Sequence, residues 1–134
     1  MENSKDTNLT GHSLKLSKSE NVLQAEIVQR FRNNYCLKHH NPRYQIFSVP
    51  NGGTRNKIEA MTLKATGLLS GVSDLIVVLP NRILFLELKT ETGQQSDSQV
   101  EFSCIISVLG FEYYVIRSID EFKNIIYEHF QKGM

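Results

Sequence analysis

The alternation of apolar and polar residues changes period several times along the chain, and each change predicts an element. Residues 1–16 show no apolar period and are rich in Asn, Ser, Thr and Lys, so they read as a disordered tail before one domain over 17–134. Glu20, Leu23, Gln24, Ile27 and Phe31 then fall on one face at helical spacing. Ser17 with Glu20 has the form of a capping box and opens that helix, which runs to about Tyr35. Glu20 and Gln24 therefore lie along the same side as its apolar stripe. Residues 44–49 read as a strand, and Pro50-Asn51-Gly52-Gly53 forces a turn. A second helix over about 56–66 places Ile58, Met61, Thr62 and Ala65 on one face, with Gly67 just beyond its end.

Two strongly apolar runs follow, Leu75–Leu79 and Ile83–Leu88, joined by Pro80, Asn81 and Arg82. A connection this short makes them an antiparallel hairpin. Ser96 begins a helix to about Leu109, with Phe102, Ile105, Ile106 and Leu109 inward and Gly110 as its stop. Residues 112–117 form another strand, and Ser118 with Glu121 caps a last helix through about Lys132. The strand–helix–strand step from 83–89 to 112–117 should be parallel and right-handed. The predicted fold is α/β, a small mixed β-sheet flanked by helices in the order α-β-α-β-β-α-β-α.

Composition narrows the class. A chain of 134 residues can build one core without disulfides or a structural metal. No apolar run approaches the ~20 residues needed to cross a membrane, and the polar N-terminus lacks a signal-peptide core, which points to the cytoplasm. Cys36 and Cys104 stand apart without C-x-x-C spacing and read as buried, reduced thiols. Charge is uneven. Residues 30–70 carry seven Lys and Arg against Glu59 alone, whereas residues 71–134 carry five against nine acids. A basic section beside an acidic one fits a polyanion held over a metal site, and a solvated mixed surface fits equally well.

Candidate chemistry gathers on the hairpin. Asp74, Glu87 and Lys89 sit at the ends of apolar strands, where ionised groups are costly unless they bind something. With Pro80 and Asn81 at the turn, Asp74 stands opposite Glu87; a longer loop, which proline favours, would shift that register. Glu87 and Lys89 share one face, and Leu84, Leu86 and Leu88 the other. Two carboxylates this close call for a cation, and oxygen ligands with open positions suit Mg²⁺ or Mn²⁺. Lys89 is placed to neutralise charge on a pentavalent phosphorane or hold a metal-activated hydroxide. On spacing alone the plainer account stays ahead, with Asp74 capping a strand and Glu87–Lys89 a solvated pair, because D-x(12)-E-x-K is a loose pattern. His39 and His40 have no third ligand at recognisable spacing. Tyr113 and Tyr114 alternate across a strand, one toward the core and one outward.

Taken together, GVSD at 71–74, LFLELK at 84–89 and TGQQSDSQ at 92–99 resemble the VRR-NUC family of the PD-(D/E)xK nuclease superfamily, in its stand-alone phage and bacterial type. PNGGTR at 50–55 and EAMTLKATG at 59–67 are similar to segments upstream of the site in that type, and the likeness spans roughly residues 19–118. It implies a restriction-endonuclease-like fold and a Mg²⁺- or Mn²⁺-dependent DNA endonuclease in a bacterial or phage-infected cell. It also implies a homodimer acting on branched DNA, resembling Holliday-junction resolvases. By the same resemblance Asp74, Glu87 and the Leu88 carbonyl are metal ligands, Lys89 is the catalytic lysine and Gln99 orients the site. Ser96–Gln99 is equally a capping-box pair. The acid expected from the first helix is Glu20, with Glu26 in reserve, although Glu26–Arg30 also reads as a surface pair. Ser73 replaces the proline common before the aspartate and loosens the approach to the strand. Arg43, Arg55, Lys57 and Lys64 are candidates for phosphate contacts, with Gly52 and Gly53 allowing close backbone approach. A non-catalytic nucleic-acid-binding module and an RNA-processing endonuclease of the same fold remain open alternatives.

Overall fold

Four strands form one sheet in the order β1-β2-β3-β4, and its two faces have different jobs. The structure is a computed structural model that describes residues 19–50 and 56–131. In chain order the elements are α1 (Glu20–Tyr35), β1 (Gln45–Ser48), α2 (Lys57–Ala65), β2 (Leu75–Leu79), β3 (Arg82–Leu88), α3 (Asp97–Val108), β4 (Glu112–Ile116) and α4 (Ile119–Gln131). β1–β2 and β2–β3 pair antiparallel, and β3–β4 pair parallel across the α3 crossover. Both the order and the mixed sheet follow the sequence pattern. The tail assigned to 1–16 and the Ser17 cap lie outside the described residues. The N-cap seen is Ser19, whose hydroxyl accepts from Val22 N–H at 3.2 Å, so the helix opens at Glu20.

Strand alternation builds the main core on one face. Ile46, Leu75, Val77, Leu79, Leu84, Leu86, Leu88 and Ile116 meet Leu23, Ile27 and Phe31 of α1 and Phe122 and Ile126 of α4. Each such side chain contributes about 1.5–3 kcal/mol on leaving water, which makes this face the main source of stability. Arg82 and His129 fasten the far end of the hairpin to α4. Arg82 Nη1 donates to His129 Nδ1 at 2.8 Å, which leaves the ring proton on Nε2, 3.1 Å from Glu112 Oε1.

Among the described residues, the opposite face is covered by α3 and by Phe111 just after it, whose ring packs edge-on against Phe85 at 6.3 Å. Phe102 packs edge-on against Phe85 and Tyr113 at centroid distances of 5.8 Å and 6.1 Å, and Ile106 is buried beside them. Ile105 and Leu109, expected inward, are exposed. α2 departs further from expectation. Its Asn56 cap forms, yet the helix packs against no other described helix or strand, and Ile58 and Met61 are 77% and 64% exposed. A nine-residue helix is amphipathic in sequence here without a core to cover. Cys104 is likewise exposed on α3 rather than buried, while Cys36 is half-buried, and both are free thiols. Tyr113 and Tyr114 are both half-buried, because α3 covers one and α4 the other side of β4. Among the described residues no helix is long and apolar enough to cross a membrane.

Candidate active site

The hairpin turn sets the register on which the site depends. Leu79 pairs with Arg82, so Pro80 and Asn81 alone make the turn, with Asn81 at φ 58°. Proline followed by a positive-φ residue is the signature of a type II turn, which resolves the doubt that proline raised about a two-residue loop. Leu75 then lies opposite Leu86, and Asp74 comes directly across from Glu87. Asp74 is fixed from two sides. Its Oδ2 accepts from Leu88 N–H at 2.7 Å, and its carbonyl accepts from Val49 N–H at 2.9 Å. Ser73, in the place of proline, is buried, and its hydroxyl donates to the Leu75 carbonyl at 3.4 Å.

Glu87 is only 1% exposed. Its Oε2 accepts from Gln99 Nε2 at 2.6 Å and lies 3.7 Å from Lys89 Nζ. Its Oε1 is buried where no donor among the described residues reaches it, and the Glu87 and Asp74 carboxyl groups lie within hydrogen-bond reach of each other. A carboxylate so placed resists ionisation. Burial foremost, then the negative charge of Asp74, push its pKa up to about 8, against a smaller opposing pull from Lys89. The charge of Glu20 adds to the same upward push. Tyr113 responds to the same acidity: burial first, then Glu87, raise its hydroxyl to about 12, although Gln95 donates to it at 3.1 Å.

Gln99 joins α3 to this centre with both ends of its amide. Its Oε1 accepts from Ser96 N–H at 2.9 Å, completing the capping box, and its Nε2 goes to Glu87. The approach of α3 depends on Gly71, which sits at φ 89°; a Cβ there would come within 2.3 Å of the Ser98 carbonyl. Gly71→Ala meets both a disfavoured backbone conformation and a backbone clash. It is expected to lower stability by about 2–4 kcal/mol and to separate Gln99 from Glu87, read as a loss of melting temperature in calorimetry. An alanine variant as stable as the wild type would contradict this close approach.

The other sequence candidates fall in different places. Glu20 is exposed at the start of α1, on the side whose charge reaches Glu87, and Gln24 is half-buried one turn on. Glu26 instead lines a hollow with Arg30, Asn33 and Lys123 between α1 and α4. Arg43 Nε donates to the Cys36 carbonyl at 2.9 Å, so it braces the loop after α1. Lys57 and Lys64 are exposed on α2, whereas Gly52, Gly53 and Arg55 lie outside the described residues. His40 Nδ1 accepts from Leu37 N–H, and neither histidine joins the acids. A hollow of about 300 Å³ opens beside Asp74, lined by Ser70, Gly71, Val72, Ser96, Ser98 and Gln99. Grooves of about 340 and 450 Å³ between α1 and α4 contain none of Asp74, Glu87, Lys89 or Gln99. Chemistry, rather than volume, marks the site.

No protein-family model and no curated protein matches this sequence. Among solved structures the chain is similar to one titled "VRR_NUC domain protein", with a TM-score of 0.65 over 81% of this chain and 85% of that one. The chain has a VRR-NUC fold. At 21% identity the likeness is one of fold, and it agrees with the restriction-endonuclease-like mixed sheet described above. The VRR-NUC fold explains why Asp74, Glu87, Lys89 and Gln99 meet: a hairpin supplies the first three and the crossover helix the fourth. Among the described residues no group of three or more His, Cys, Asp and Glu side chains is arranged to hold a metal. The acids that the hairpin brings face to face are Asp74 and Glu87, and no donor among the described residues reaches the buried Glu87 Oε1. Sequence reasoning missed the roles of Gly71, Gln95 and Tyr113. The glycine stood in the GVSD motif, but only its contact with Ser98 shows what it is for.

Proposed function

We propose that this protein is a divalent-metal-dependent DNA endonuclease that hydrolyses phosphodiester bonds, acting as a homodimer on branched DNA. The observation that carries this reading is Glu87: a buried carboxylate facing a second one, with an oxygen that no donor among the described residues reaches. Burial and Asp74 disfavour the ionised form of Glu87, and a cation between the two carboxylates is what would let both carry charge. Asp74 has one oxygen on Leu88 N–H and its other available to the same cation. Mg²⁺ or Mn²⁺ would be held by Asp74, Glu87 and the Leu88 carbonyl. When bound, such an ion supplies Lewis acidity toward a phosphodiester and toward water.

The remaining side chains do work of their own. Lys89, nearly buried and aimed at Glu87, presents a fixed positive charge to the non-bridging oxygens of the scissile phosphate. Gln99 holds the Glu87 carboxylate in one orientation, because its amide is itself locked into the α3 cap. Glu20 is the acid of α1 that orders the attacking water, in preference to Glu26, which faces α4. Water attacks the phosphorus in line, the P–O3′ bond breaks, and the 3′-oxygen leaves as a hydroxyl with a proton from water, so that the phosphate stays on the 5′ side. Lys57 and Lys64, exposed on α2, are the candidates for phosphate contacts, together with Arg55, Gly52 and Gly53, which precede α2 in the sequence and lie outside the described residues; Arg43 braces the loop after α1.

A panel of labelled substrates tests the proposal: four-way junction, flap, splayed arm, linear duplex and RNA, each with and without Mn²⁺. The expected result is Mn²⁺-dependent cutting, fastest on the branched DNAs. Tight binding of every DNA with no cutting of any would mean a non-catalytic binding module, and preferential cutting of RNA would mean an RNA-processing enzyme.

A further inference from the structure

Glu87 Oε2 is approached by two groups, Lys89 and Gln99, that begin and end one connecting segment. The orientation of Glu87 is therefore only as good as the conformation of the residues between them. One side chain from outside the segment gathers it. Arg117 follows β4 and its Nη1 donates to the carbonyls of Thr90 at 2.7 Å, Gly93 at 2.7 Å and Glu91 at 3.3 Å. Three convergent carbonyls on one nitrogen make a cation cradle, and the guanidinium is always charged. Arg117 is itself braced, since its backbone N–H donates to Glu121 Oε1 at 2.7 Å and Glu121 N–H is held by Ser118 at 3.1 Å. The turn it closes lies against the catalytic-lysine candidate. Gly93 N–H donates to Thr90 Oγ1 at 3.0 Å, and a Cβ on Gly93 would lie 3.7 Å from Lys89 Cδ.

We infer that Arg117 is a positioning residue for Lys89: by closing the 90–93 turn it fixes the lysine stem and, through the same segment, the two partners of Glu87. The inference rests on the nuclease reading for its consequence, but its structural part is tested without cleavage. In Arg117→Ala the turn loses its central donor and Lys89 becomes free to swing. Arg117→Lys keeps a cation in the cradle and should restore most of the effect. Gly93→Ala disturbs the same turn from its other side, because its Cβ would meet Thr90 Oγ1 at 2.8 Å, and serves where the arginine variant fails to fold.

The first measurement is the rate at which a water-soluble amine-acylating reagent modifies Lys89, read by mass spectrometry on the full chain. Arg117→Ala or Gly93→Ala should speed that modification about tenfold, with Arg117→Lys close to wild type, as a freed side chain in place of a packed one requires. The second is steady-state cleavage in Mn²⁺: kcat should fall roughly 10–100-fold with KM and Mn²⁺ affinity little changed, the cost of an ångström-scale misplacement. Unchanged Lys89 modification in Arg117→Ala and Gly93→Ala, each with a wild-type melting temperature, would overturn the inference. So would a parallel loss of kcat, Mn²⁺ affinity and melting temperature that Arg117→Lys does not repair, since that pattern is general destabilisation. A wild-type protein that cuts nothing sinks the nuclease reading alone, and the acylation rates then decide the positioning claim.

Discussion

Lys89→Ala should lower single-turnover cleavage by about 10²–10³-fold while DNA binding weakens only a few-fold, the difference between a charge used in the transition state and one used for attachment. The geometry gives the reason. Lys89 Nζ lies 3.7 Å from Glu87 Oε2 on a side chain that is nearly buried, so the ammonium has little freedom and little bulk water to screen it. A phosphate drawn to the two carboxylates through a divalent ion would meet that ammonium at close range, where its charge counts most as negative charge accumulates. Binding draws instead on many phosphate contacts, of which Lys89 is one. Filter binding in Ca²⁺ and quench-flow cleavage in Mn²⁺ measure the two effects separately. A variant that cuts within tenfold of wild type would remove Lys89 from the catalytic role, and one that no longer binds would make it an anchoring residue.

The second large effect concerns pH and metal together. Glu87 titrates about 8 in the folded chain because of burial and Asp74, against 4.5 ordinarily. The folded state thus holds this proton more tightly than the unfolded chain does. The stabilising contribution is complete below the unfolded value and is lost as pH rises through the folded one. Metal-free protein should therefore melt at a lower temperature at about pH 9 than at about pH 6, with the decline centred between the two pKa values. A divalent ion at Asp74 and Glu87 would replace the proton, so on the proposed reading Mn²⁺ should raise the melting temperature more at the higher pH than at the lower. Glu87→Gln, which carries no charge at either pH, should flatten both the decline and the Mn²⁺ response. Scanning calorimetry at two pH values, with and without Mn²⁺, reads all of this. A Mn²⁺ shift that is independent of pH and survives in Glu87→Gln would place the ion elsewhere.

Much of this architecture was legible in the sequence because period and punctuation agreed. The hairpin followed Gly71 and turned at Pro80 and Asn81, and alternation alone put Glu87 and Lys89 on one face with Leu84, Leu86 and Leu88 on the other. Gln99 was visible twice, as a capping-box residue and as a site residue, and the structure gives its amide oxygen and nitrogen one task each. What failed was the inference from amphipathic pattern to burial. Ile58 and Met61 on α2, and Ile105 and Leu109 on α3, have helical spacing but no partner surface within the described chain. Periodicity reports that a face could be covered; whether anything covers it depends on packing that no local pattern encodes. The same limit hid Arg117, Tyr113 and Gln95, whose partners lie eighteen or more residues away in the chain.

The central claim is that Asp74 and Glu87 form one divalent-metal centre for phosphodiester hydrolysis. Incubating a labelled four-way junction with wild-type protein and Asp74→Ala in parallel, purified identically and supplied with Mn²⁺, tests it most directly. The account predicts 5′-phosphate-ended products from the wild type, none without the metal, and at least about 10²-fold less from Asp74→Ala. Equal cutting by both proteins, or product formed by the wild type in the presence of a chelator, would contradict it.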